Sequence, residues 1–239
     1  MSPVPVTLAI ETSGRIGSVA LALAEGSIVE RVFPEGTRHG RDLMPSVAAL
    51  LAEAGVARSD LERIAVSVGP GSFTGLRVGV AAAKTLAWAL GAALVAVPTL
   101  DVLARGAPPD TEGTIVPVLD ARRGHVHAAL YSYRSGAIIR ATEFLVVPPD
   151  RLTARTSPPV TWLGEGLRTY PGLASGGIAL EEERWRARAA IVAELGAAAE
   201  VDPDREALHA LEPLYLRIPT PEERRRARER AREDDADGS

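Results

Sequence analysis

Two carboxylates occupy positions from which they could do chemistry. Glu11 directly follows an apolar segment at residues 6–10, and Asp120 directly follows another at residues 114–119. Short apolar runs bounded by turn residues predict buried β-strands, so each acid is expected at the end of a strand. A carboxylate in that position can act as a base in phosphoryl transfer, provided that a phosphate-binding loop lies beside it.

The segment 69–77, with the sequence GPGSFTGLR, is the candidate for such a loop. It lies between a predicted strand at 64–68 and a predicted helix at 76–90, so backbone N–H groups and the positive end of the helix could face an anion. It is not a Walker loop, because no Lys-Ser or Lys-Thr pair follows Gly75. The same pattern is compatible with a tight turn that binds nothing, and both interpretations stay open.

The histidines do not complete a metal site. Two imidazoles at positions i and i+4 of a helix could share a metal ion, but His39 is followed four residues later by Leu43. His125 and His127 lie two apart on a predicted strand and would point to one face, yet no third ligand lies near them in the sequence. We therefore predict no metal ion and no cofactor, with a two-histidine ligand pair as the alternative.

The composition narrows the class of protein. The chain has 239 residues, of which 46% are hydrophobic, enough for one large domain or two small lobes. Its net charge of −4 does not favour a protein that binds nucleic acid by itself. Because the chain has no cysteine and residues 1–5 lack the basic start of a signal peptide, we expect a cytoplasmic protein. The apolar stretch 78–97 is interpreted as a helix ended by Gly91 and then a strand, rather than as a membrane span.

The predicted elements of the first half follow the order β-β-β-α-β-α-β. Their expected ranges are 6–10, 17–23, 28–33, 41–54, 64–68, 76–90 and 93–97. The pattern restarts at residue 114, and a shift of 109 residues places Glu11 on Asp120, Ser18 on His127 and Ser27 on Gly136. The remaining segments of a shortened second copy would be 161–164, 178–180 and 185–199. An internal repeat of this kind indicates the architecture.

We therefore predict an α/β protein with a duplicated βββαβαβ unit, the second copy shortened. The Gly- and Pro-rich segment 105–111 is the expected boundary between an N-terminal lobe at 1–107 and a C-terminal lobe at 108–218. Residues 219–239 form a highly charged tail, which we expect to be flexible or a frayed helix. This plan, with an acid at the end of each first strand, resembles the actin-like ATPase (ASKHA, ribonuclease H-like) fold.

The predicted helix 76–90 is apolar on more than one side. A helix that covers one face of a sheet needs a single apolar stripe, so something else should bury the second stripe. Its small residues would let another helix approach, and helix 41–54 would flank the contact. The alternative is that both stripes meet the second lobe of the same chain. The residues expected at a partner interface are Leu43, Val47, Leu50, Gly79, Ala82, Ala83 and Leu86.

Five short motifs together resemble the TsaB (YeaZ) family of bacteria. They are AIETS at 9–13, HGRDLMP at 39–45, GPGSFTGLR at 69–77, DARRGHV at 120–126 and PLYLR at 213–217. The third and fourth motifs are specific, and the others support them. The likeness covers residues 4–218.

This resemblance implies a role in tRNA modification. TsaB proteins are paralogues of TsaD, the catalytic subunit that transfers a threonylcarbamoyl group to N6 of adenosine 37 in tRNA, and they support the reaction without performing it. The resemblance therefore implies a non-catalytic subunit that forms a homodimer alone and pairs with TsaD. It also implies that the ATPase TsaE joins the complex and that tRNA is met through the complex, while the interpretation of the stretch 78–97 predicts that no membrane is involved.

The resemblance further implies that the nucleotide site of the fold is degenerate in this chain. Its candidate residues are Glu11, Thr12, Ser13, Gly69, Gly71, Ser72, Thr74, Gly75 and Asp120. The family usually has Asp where this chain has Glu11, and the extra methylene changes how that acid could reach a metal ion.

Two other functions stay as alternatives. An autonomous ATPase or phosphotransferase would need a complete phosphate loop in each lobe, but Asp120 is followed by Arg122 and Arg123 instead of a glycine turn. A metallopeptidase would need the second histidine that is missing after His39.

Overall fold

The first half of the chain forms a five-stranded sheet flanked by helices. The computed structural model describes residues 4–34, 39–109, 111–134, 136–201 and 211–216. In chain order the first elements are β1 (Thr7–Glu11), β2 (Ser18–Ala22), β3 (Ile28–Val32), α1 (His39–Ala54), β4 (Arg63–Gly69), α2 (Phe73–Leu90), β5 (Ala93–Pro98) and α3 (Thr99–Arg105). The strand order is β3-β2-β1-β4-β5, with β1 to β3 antiparallel and β4 and β5 parallel to β1. This is the predicted βββαβαβ unit.

The alternation of side chains along β1 decides what each face of this sheet contacts. Leu8 and Ile10 join the apolar cluster beneath α1 and α2. Ala9 points to the opposite face, where Ala20 and Ala65 from the neighbouring strands lie beside it. Small side chains on this second face let a helix approach the sheet closely.

Helix α2 begins three residues earlier than predicted because Ser72 caps it. The Ser72 hydroxyl accepts a hydrogen bond from the Gly75 N–H at 3.3 Å. The helix ends at Gly91, whose φ of 68° lies in the left-handed region that glycine adopts readily. The stretch 78–97 is thus a helix followed by a strand, as predicted. Within the described ranges, no helix is long and apolar enough to cross a membrane.

The second half repeats this plan with shorter helices. Its elements are β6 (Thr114–Arg122), β7 (His125–Ala128), β8 (Tyr131–Arg134), β9 (Ala137–Arg140), β10 (Leu145–Val147), α4 (Pro149–Thr153), β11 (Val160–Leu163), α5 (Gly166–Thr169), β12 (Ile178–Ala179) and α6 (Ala189–Ala198). The second sheet has seven strands: the path β10-β7-β6-β11-β12 corresponds to the five strands of the first sheet, and the β8-β9 hairpin is added where β8 pairs with β6. α4 and α5 have 5 and 4 residues, whereas α1 and α2 have 16 and 18. The predicted duplicated actin-like fold with a shortened second copy is confirmed.

The alignment of the two halves needs one correction. In the first sheet Ser18 pairs with Glu11, but in the second sheet His127 pairs with Leu119, one residue before Asp120. A uniform shift of 109 residues is therefore wrong by one position in this strand. The difference arises at the turn, because the pairing register between β6 and β7 shifts at an irregularity directly after Asp120.

Helix α6 crosses back to the first sheet, although it follows the strands of the second. Its Gly196 packs so closely on β4 that a Cβ at this position would collide with the sheet. The N–H of Ala189, at the start of the helix, donates to the Ser18 hydroxyl at 2.9 Å, and Arg63 donates to three carbonyls at its end. The sequence predicts that the segment 185–199 completes the second copy. This prediction is wrong, because the segment covers the first sheet.

The predicted lobe limits of 1–107 and 108–218 stay predictions. One apolar core contains residues of both sheets together with α3 and α6, so the two halves share buried surface. The charged tail at 219–239 lies outside the described residues, and so do His209 and Arg217.

The described segment 211–216 returns to the first lobe. The Leu214 N–H donates to the Val68 carbonyl oxygen at 2.6 Å. The Tyr215 ring packs on Phe73 with ring centroids 5.3 Å apart. Most of the PLYLR motif therefore lies beside the end of β4 and the start of α2.

Candidate functional site

A cleft opens between the two sheets at the ends of β1 and β6. Its volume is about 680 Å³. Four of the predicted nucleotide-site residues line it, namely Ser13, Gly71, Ser72 and Asp120. The other five predicted residues do not line it: Glu11, Thr12, Gly69, Thr74 and Gly75.

Glu11 is buried inside the first lobe and does not reach the cleft. Its side chain is 0% exposed; one carboxylate oxygen accepts from the Ser13 N–H at 2.5 Å, and the other accepts from the Ser67 hydroxyl. Burial raises the pKa of this carboxyl above its ordinary value, and the hydrogen bonds and the nearby His39 partly offset that rise. Because both oxygens are engaged within the lobe, Glu11 is not placed to contact a metal-bound phosphate.

The Gly-rich loop is packed against the turn that follows β1. The Ser72 N–H donates to the Ser13 carbonyl at 2.7 Å, and the Thr12 hydroxyl donates to the Gly75 carbonyl at 2.8 Å. A Cβ at Gly71 would lie 2.5 Å from the Ser13 carbonyl oxygen, and one at Gly75 would overlap the Thr12 carbonyl oxygen. Of the two interpretations of this loop, the close packing of backbone on backbone accounts for Gly71 and Gly75.

The remaining two loop candidates lie away from the cleft. Gly69 has a φ of 114°, which L side chains rarely adopt, at the point where β4 ends beside Leu214. Thr74 is exposed in the first turn of α2. Their contribution is therefore to the shape of the loop and the start of the helix.

Asp120 lines the cleft, and its carboxylate is already paired. It accepts from the Arg122 N–H at 2.8 Å and lies 3.3 Å from the Arg122 guanidinium. Arg122 and Arg123 adopt φ values of 64° and 51°, which are uncommon for residues other than glycine. This turn presents arginine side chains where a phosphate-binding loop would present glycine N–H groups.

The cleft also contains basic residues that the sequence does not point to. Its arginines are Arg15, Arg122, Arg168 and Arg186, and its carboxylates are Asp120 and Glu165. The arginines come from separate segments of the chain, so no motif joins them. The one available signal is the Arg-Arg pair that follows the second acid.

His127 lies at the cleft as well. Burial lowers its pKa to about 4, against the opposing effect of Asp120, so the imidazole is neutral at pH 7. Its Nδ1 is buried and has no hydrogen-bond partner among the described residues. His125 instead places its Nδ1 2.9 Å from the Arg123 carbonyl oxygen. In the part of the chain that the structure describes, no group of three His, Cys, Asp or Glu side chains could hold a metal ion.

Comparison with known proteins identifies the family. The profile "TsaD: tRNA N6-adenosine threonylcarbamoyltransferase" matches residues 32–161. TsaB of Bacillus subtilis is 41% identical over 131 residues, which are 55% of this chain and 57% of that protein. TsaB of Escherichia coli is 31% identical over 172 residues, which are 70% of this chain and 74% of that protein. The chain belongs to the TsaB family.

A solved structure agrees with this assignment. YeaZ from Pseudomonas aeruginosa superimposes with a TM-score of 0.74 at 30% identity, over 90% of this chain and 100% of that one. The match with the B. subtilis relative covers only 57% of that protein's length. The predicted resemblance to TsaB (YeaZ) is confirmed.

The residues predicted at a TsaB partner interface divide into two groups. Five are buried inside the first lobe: Leu43, Val47, Leu50, Gly79 and Ala83. They pack among α1, α2 and the first sheet, so they cannot touch a partner in this conformation. Ala82 and Leu86 are half-buried and keep some surface. The interface itself stays a prediction.

The exposed sides of the same two helices carry large apolar residues. Trp88 on α2 is 72% exposed, and Met44 on α1 is 48% exposed. Large exposed apolar side chains on neighbouring helices are typical of protein–protein contacts. Neither residue belongs to the buried apolar stripe of its helix. A large apolar residue outside that stripe is the sequence signal by which both could be found.

Proposed function

We propose that this protein is a non-catalytic subunit in the synthesis of N6-threonylcarbamoyladenosine at position 37 of tRNA, and that it pairs with TsaD. Two of its relatives carry the name tRNA threonylcarbamoyladenosine biosynthesis protein TsaB. The match of residues 32–161 to a TsaD profile supports kinship with the transferase itself. In this proposal TsaE joins the complex, and tRNA is met through the complex.

The burial of Glu11 is the observation that carries the non-catalytic part of the proposal. Chemistry on a metal-bound phosphate needs an acid that reaches the cleft. Glu11 is 0% exposed and bonded to Ser13 and Ser67, whereas Asp120 is paired with Arg122. Neither acid is placed to act as a base, so the catalytic groups come from the partner.

The outer sides of α1 and α2 support the pairing part. Trp88 on α2 and Met44 on α1 are large apolar side chains that the first lobe leaves exposed. Two neighbouring helices can pack on the equivalent pair of a second molecule as a four-helix contact. The same surface then serves a homodimer when the protein is alone and a heterodimer when TsaD is present, so the two assemblies compete.

Size-exclusion chromatography with light scattering tests the pairing. The protein alone should elute as a dimer, and its mixture with TsaD of the same organism should elute as a one-to-one heterodimer. Trp88→Ala should weaken both assemblies roughly tenfold or more, because buried interface tryptophans often contribute about 2 kcal/mol or more. Ile178→Ala is the matched control, since Ile178 is 65% exposed on β12 in the other lobe. A chain that stays monomeric and ignores TsaD would contradict the proposal.

Activity measurements separate a subunit from an enzyme. The isolated protein should not turn over ATP, whereas its addition to TsaD, TsaE and tRNA should restore threonylcarbamoylation. ATP turnover by the isolated protein that disappears in Asp120→Ala would instead identify an autonomous ATPase.

A further inference from the structure

The lining of the cleft between the ends of β1 and β6 contains more arginines than carboxylates. Its carboxylates are Asp120 and Glu165, and Glu182 pairs with one of the arginines, Arg168, at 2.8 Å. A guanidinium has five N–H donors, so an arginine in one ion pair can still hold a second acceptor. The arginines are Arg15, Arg122, Arg168 and Arg186. The space of about 680 Å³ between the two lobes therefore favours an occupant that carries negative charge.

Two buried side chains of this lining each have a polar atom without a hydrogen-bond partner among the described residues. Thr99 is 1% exposed, and its hydroxyl oxygen makes no hydrogen bond. The Nδ1 of His127 is in the same situation. Buried polar atoms are nearly always hydrogen-bonded in folded proteins, and a carboxylate accepts from a hydroxyl or an imidazole N–H. An occupant with several carboxylates would satisfy both the arginines and these neutral groups.

The described segment 211–216 lies at the rim of this cleft. The Tyr215 ring packs on Phe73, which lines the cleft, with ring centroids 5.3 Å apart. The Nε of Arg77 donates to the Tyr215 hydroxyl at 3.1 Å, and the Arg77 guanidinium lies 4.0 Å from the centre of the Phe73 ring. Residues 217–239 lie outside the described residues, and the chain continues into them from a point beside the cleft.

The sequence of residues 217–239 separates its charges into two runs. The run 224–232 has six arginines and one glutamate, whereas the run 233–237, EDDAD, has four carboxylates and no cation. The arginines of the cleft repel the first run and attract the second. Glu233 follows Leu216 by 17 positions, which span about 25 Å as a helix and about 55 Å as an extended chain. Either length is enough for the acidic run to return to a cleft whose rim adjoins Tyr215.

We propose that the acidic run 233–237 of this same chain binds in the cleft, where its carboxylates pair with the arginine side chains and accept from the Thr99 hydroxyl. A ligand on the same chain acts at a roughly millimolar effective concentration, so individually weak ion pairs suffice to hold it. Another anion then enters the cleft only by displacing these carboxylates. This inference does not rest on the proposed role with TsaD.

A double-mutant cycle on the full chain tests the contact. The acids of the run are removed by Glu233→Gln, Asp234→Asn, Asp235→Asn and Asp237→Asn. In low salt, Arg122→Gln with Arg186→Gln should lower the melting temperature of the otherwise unmodified chain by about 2–4 °C, as the loss of a few ion pairs does in a domain of this size. With the four acids already removed, the same change should cost roughly half of that or less, because the pairs are gone. An equal loss in both backgrounds overturns the proposal.

Arg151→Gln with Arg155→Gln is the matched control for this cycle. Both arginines are exposed, and neither lines the cleft. Their loss should lower the melting temperature equally whether or not the four acids are present. If the acids change the effect of this pair as much as that of the cleft pair, the coupling reflects net charge alone, and the proposal is overturned. If the acidic run instead pairs with the arginine run 224–232, the cleft arginines will show no coupling.

A fluorescent label provides a second measurement that does not depend on stability. The chain has no cysteine, so Ala236→Cys creates a single site for a bimane label within the acidic run. Trp185 lines the cleft, and a tryptophan quenches bimane on contact. The label should be quenched in low salt and recover in about 1 M salt, where the screening length falls to about 3 Å.

The partner of the label is identified by removing one tryptophan at a time. Trp185→Phe should abolish the quenching, whereas Trp88→Phe should leave it, since Trp88 is 72% exposed on α2 and does not line the cleft. The quenching should also stay constant on dilution, because the contact is within one chain. Absence of quenching in low salt, quenching that survives Trp185→Phe, or quenching that disappears on dilution overturns the proposal.

Discussion

The first strand of each lobe has a carboxylate at or near its end, but the surroundings of the two carboxylates differ: Glu11 is the last residue of β1, and Asp120 lies two residues before the end of β6. At the end of β1, Glu11 is 0% exposed and the Gly-rich loop lies backbone against backbone on the next turn. At the end of β6, the Asp120 side chain is 21% exposed and faces a cleft. The turn that follows it is open, since a Cβ at Gly124 would meet no atom within 4 Å.

This difference shows that two lobes with one topology can surround the acid of the first strand in different ways. In the first lobe the acid has become part of the core, so it is no longer available for chemistry. In the second lobe the acid still borders open space, where the lining of the cleft has more arginines than carboxylates. Substitutions should therefore be costly at the first strand end and mild at the second.

Glycine substitutions should give the largest contrast between the two ends. Gly75→Ala would push a methyl group into the Thr12 carbonyl oxygen, and it should cost about 3 kcal/mol or more of stability, or prevent folding. Gly124→Ala meets no atom but must keep a φ of 74°, so it should cost about 1 kcal/mol. Urea unfolding followed by circular dichroism measures both losses. Equal losses of stability would show that the backbone is packed no more tightly after β1 than after β6.

Removal of the two acids should give the next contrast. Glu11→Ala should cost about 2–4 kcal/mol, because the Ser13 N–H and the Ser67 hydroxyl lose their acceptor inside the core. Asp120→Ala should cost about 1 kcal/mol or less, because its partner Arg122 is 86% exposed. Denaturant midpoints of the two variants provide the comparison. A larger loss of stability for Asp120→Ala would show that the folded core depends on Asp120 more than on Glu11.

His127 should make the second strand end sensitive to acid. Its pKa is about 4 in the folded protein and 6.5 when unperturbed, so the unfolded chain binds more protons between these values. Stability is then fully present above pH 6.5 and falls by about 3 kcal/mol in total as the pH drops to 4. His127→Gln should flatten this fall, as measured by melting temperatures from pH 7 to pH 5. If the variant kept the whole fall, other groups would be responsible for it.

Glu11 should give the opposite dependence on pH. Because its folded pKa is raised, its contribution to stability is complete below the ordinary value of 4.5 and is lost as the pH rises through the folded value. Glutamine keeps the shape without the charge, so Glu11→Gln should gain stability relative to the unmodified protein between pH 5 and pH 8. Thermal melts of both proteins at each pH test this. A difference that stays constant over the range would mean that Glu11 does not titrate as we infer.

The order of the strands and helices is predictable because its signals are local. The periodicity of apolar residues places α1 and α2 within three residues of their observed starts at His39 and Phe73. The short helix α3 is not predicted, since seven residues are too few to establish a helical period. The path of α6 onto the first sheet is also not predicted, because an apolar helix does not specify which sheet it will cover.

The candidate site is predictable only in part. The spacing of the acids and the Gly-rich loop identifies four residues that line the cleft, of which Asp120 is one. The same pattern does not distinguish a glycine that exposes its N–H to a ligand from one like Gly75, which permits close packing. Arg168 and Arg186 belong to no motif, and their place at the cleft follows from the fold alone.

The sequence by itself determined the duplicated fold and the TsaB family, because both depend on periodicity, turn residues and short motifs within continuous segments. Only the tertiary structure decided that Glu11 is buried and that arginines from separate segments line a common cleft. The physical reason is that the surroundings of a side chain at a strand end depend on what packs over it. At Glu11 the Ser67 hydroxyl of β4 donates to the carboxylate, and the Gly-rich loop and helix α6 bond to the nearby Ser13 and Ser18, so these surroundings come from distant parts of the chain.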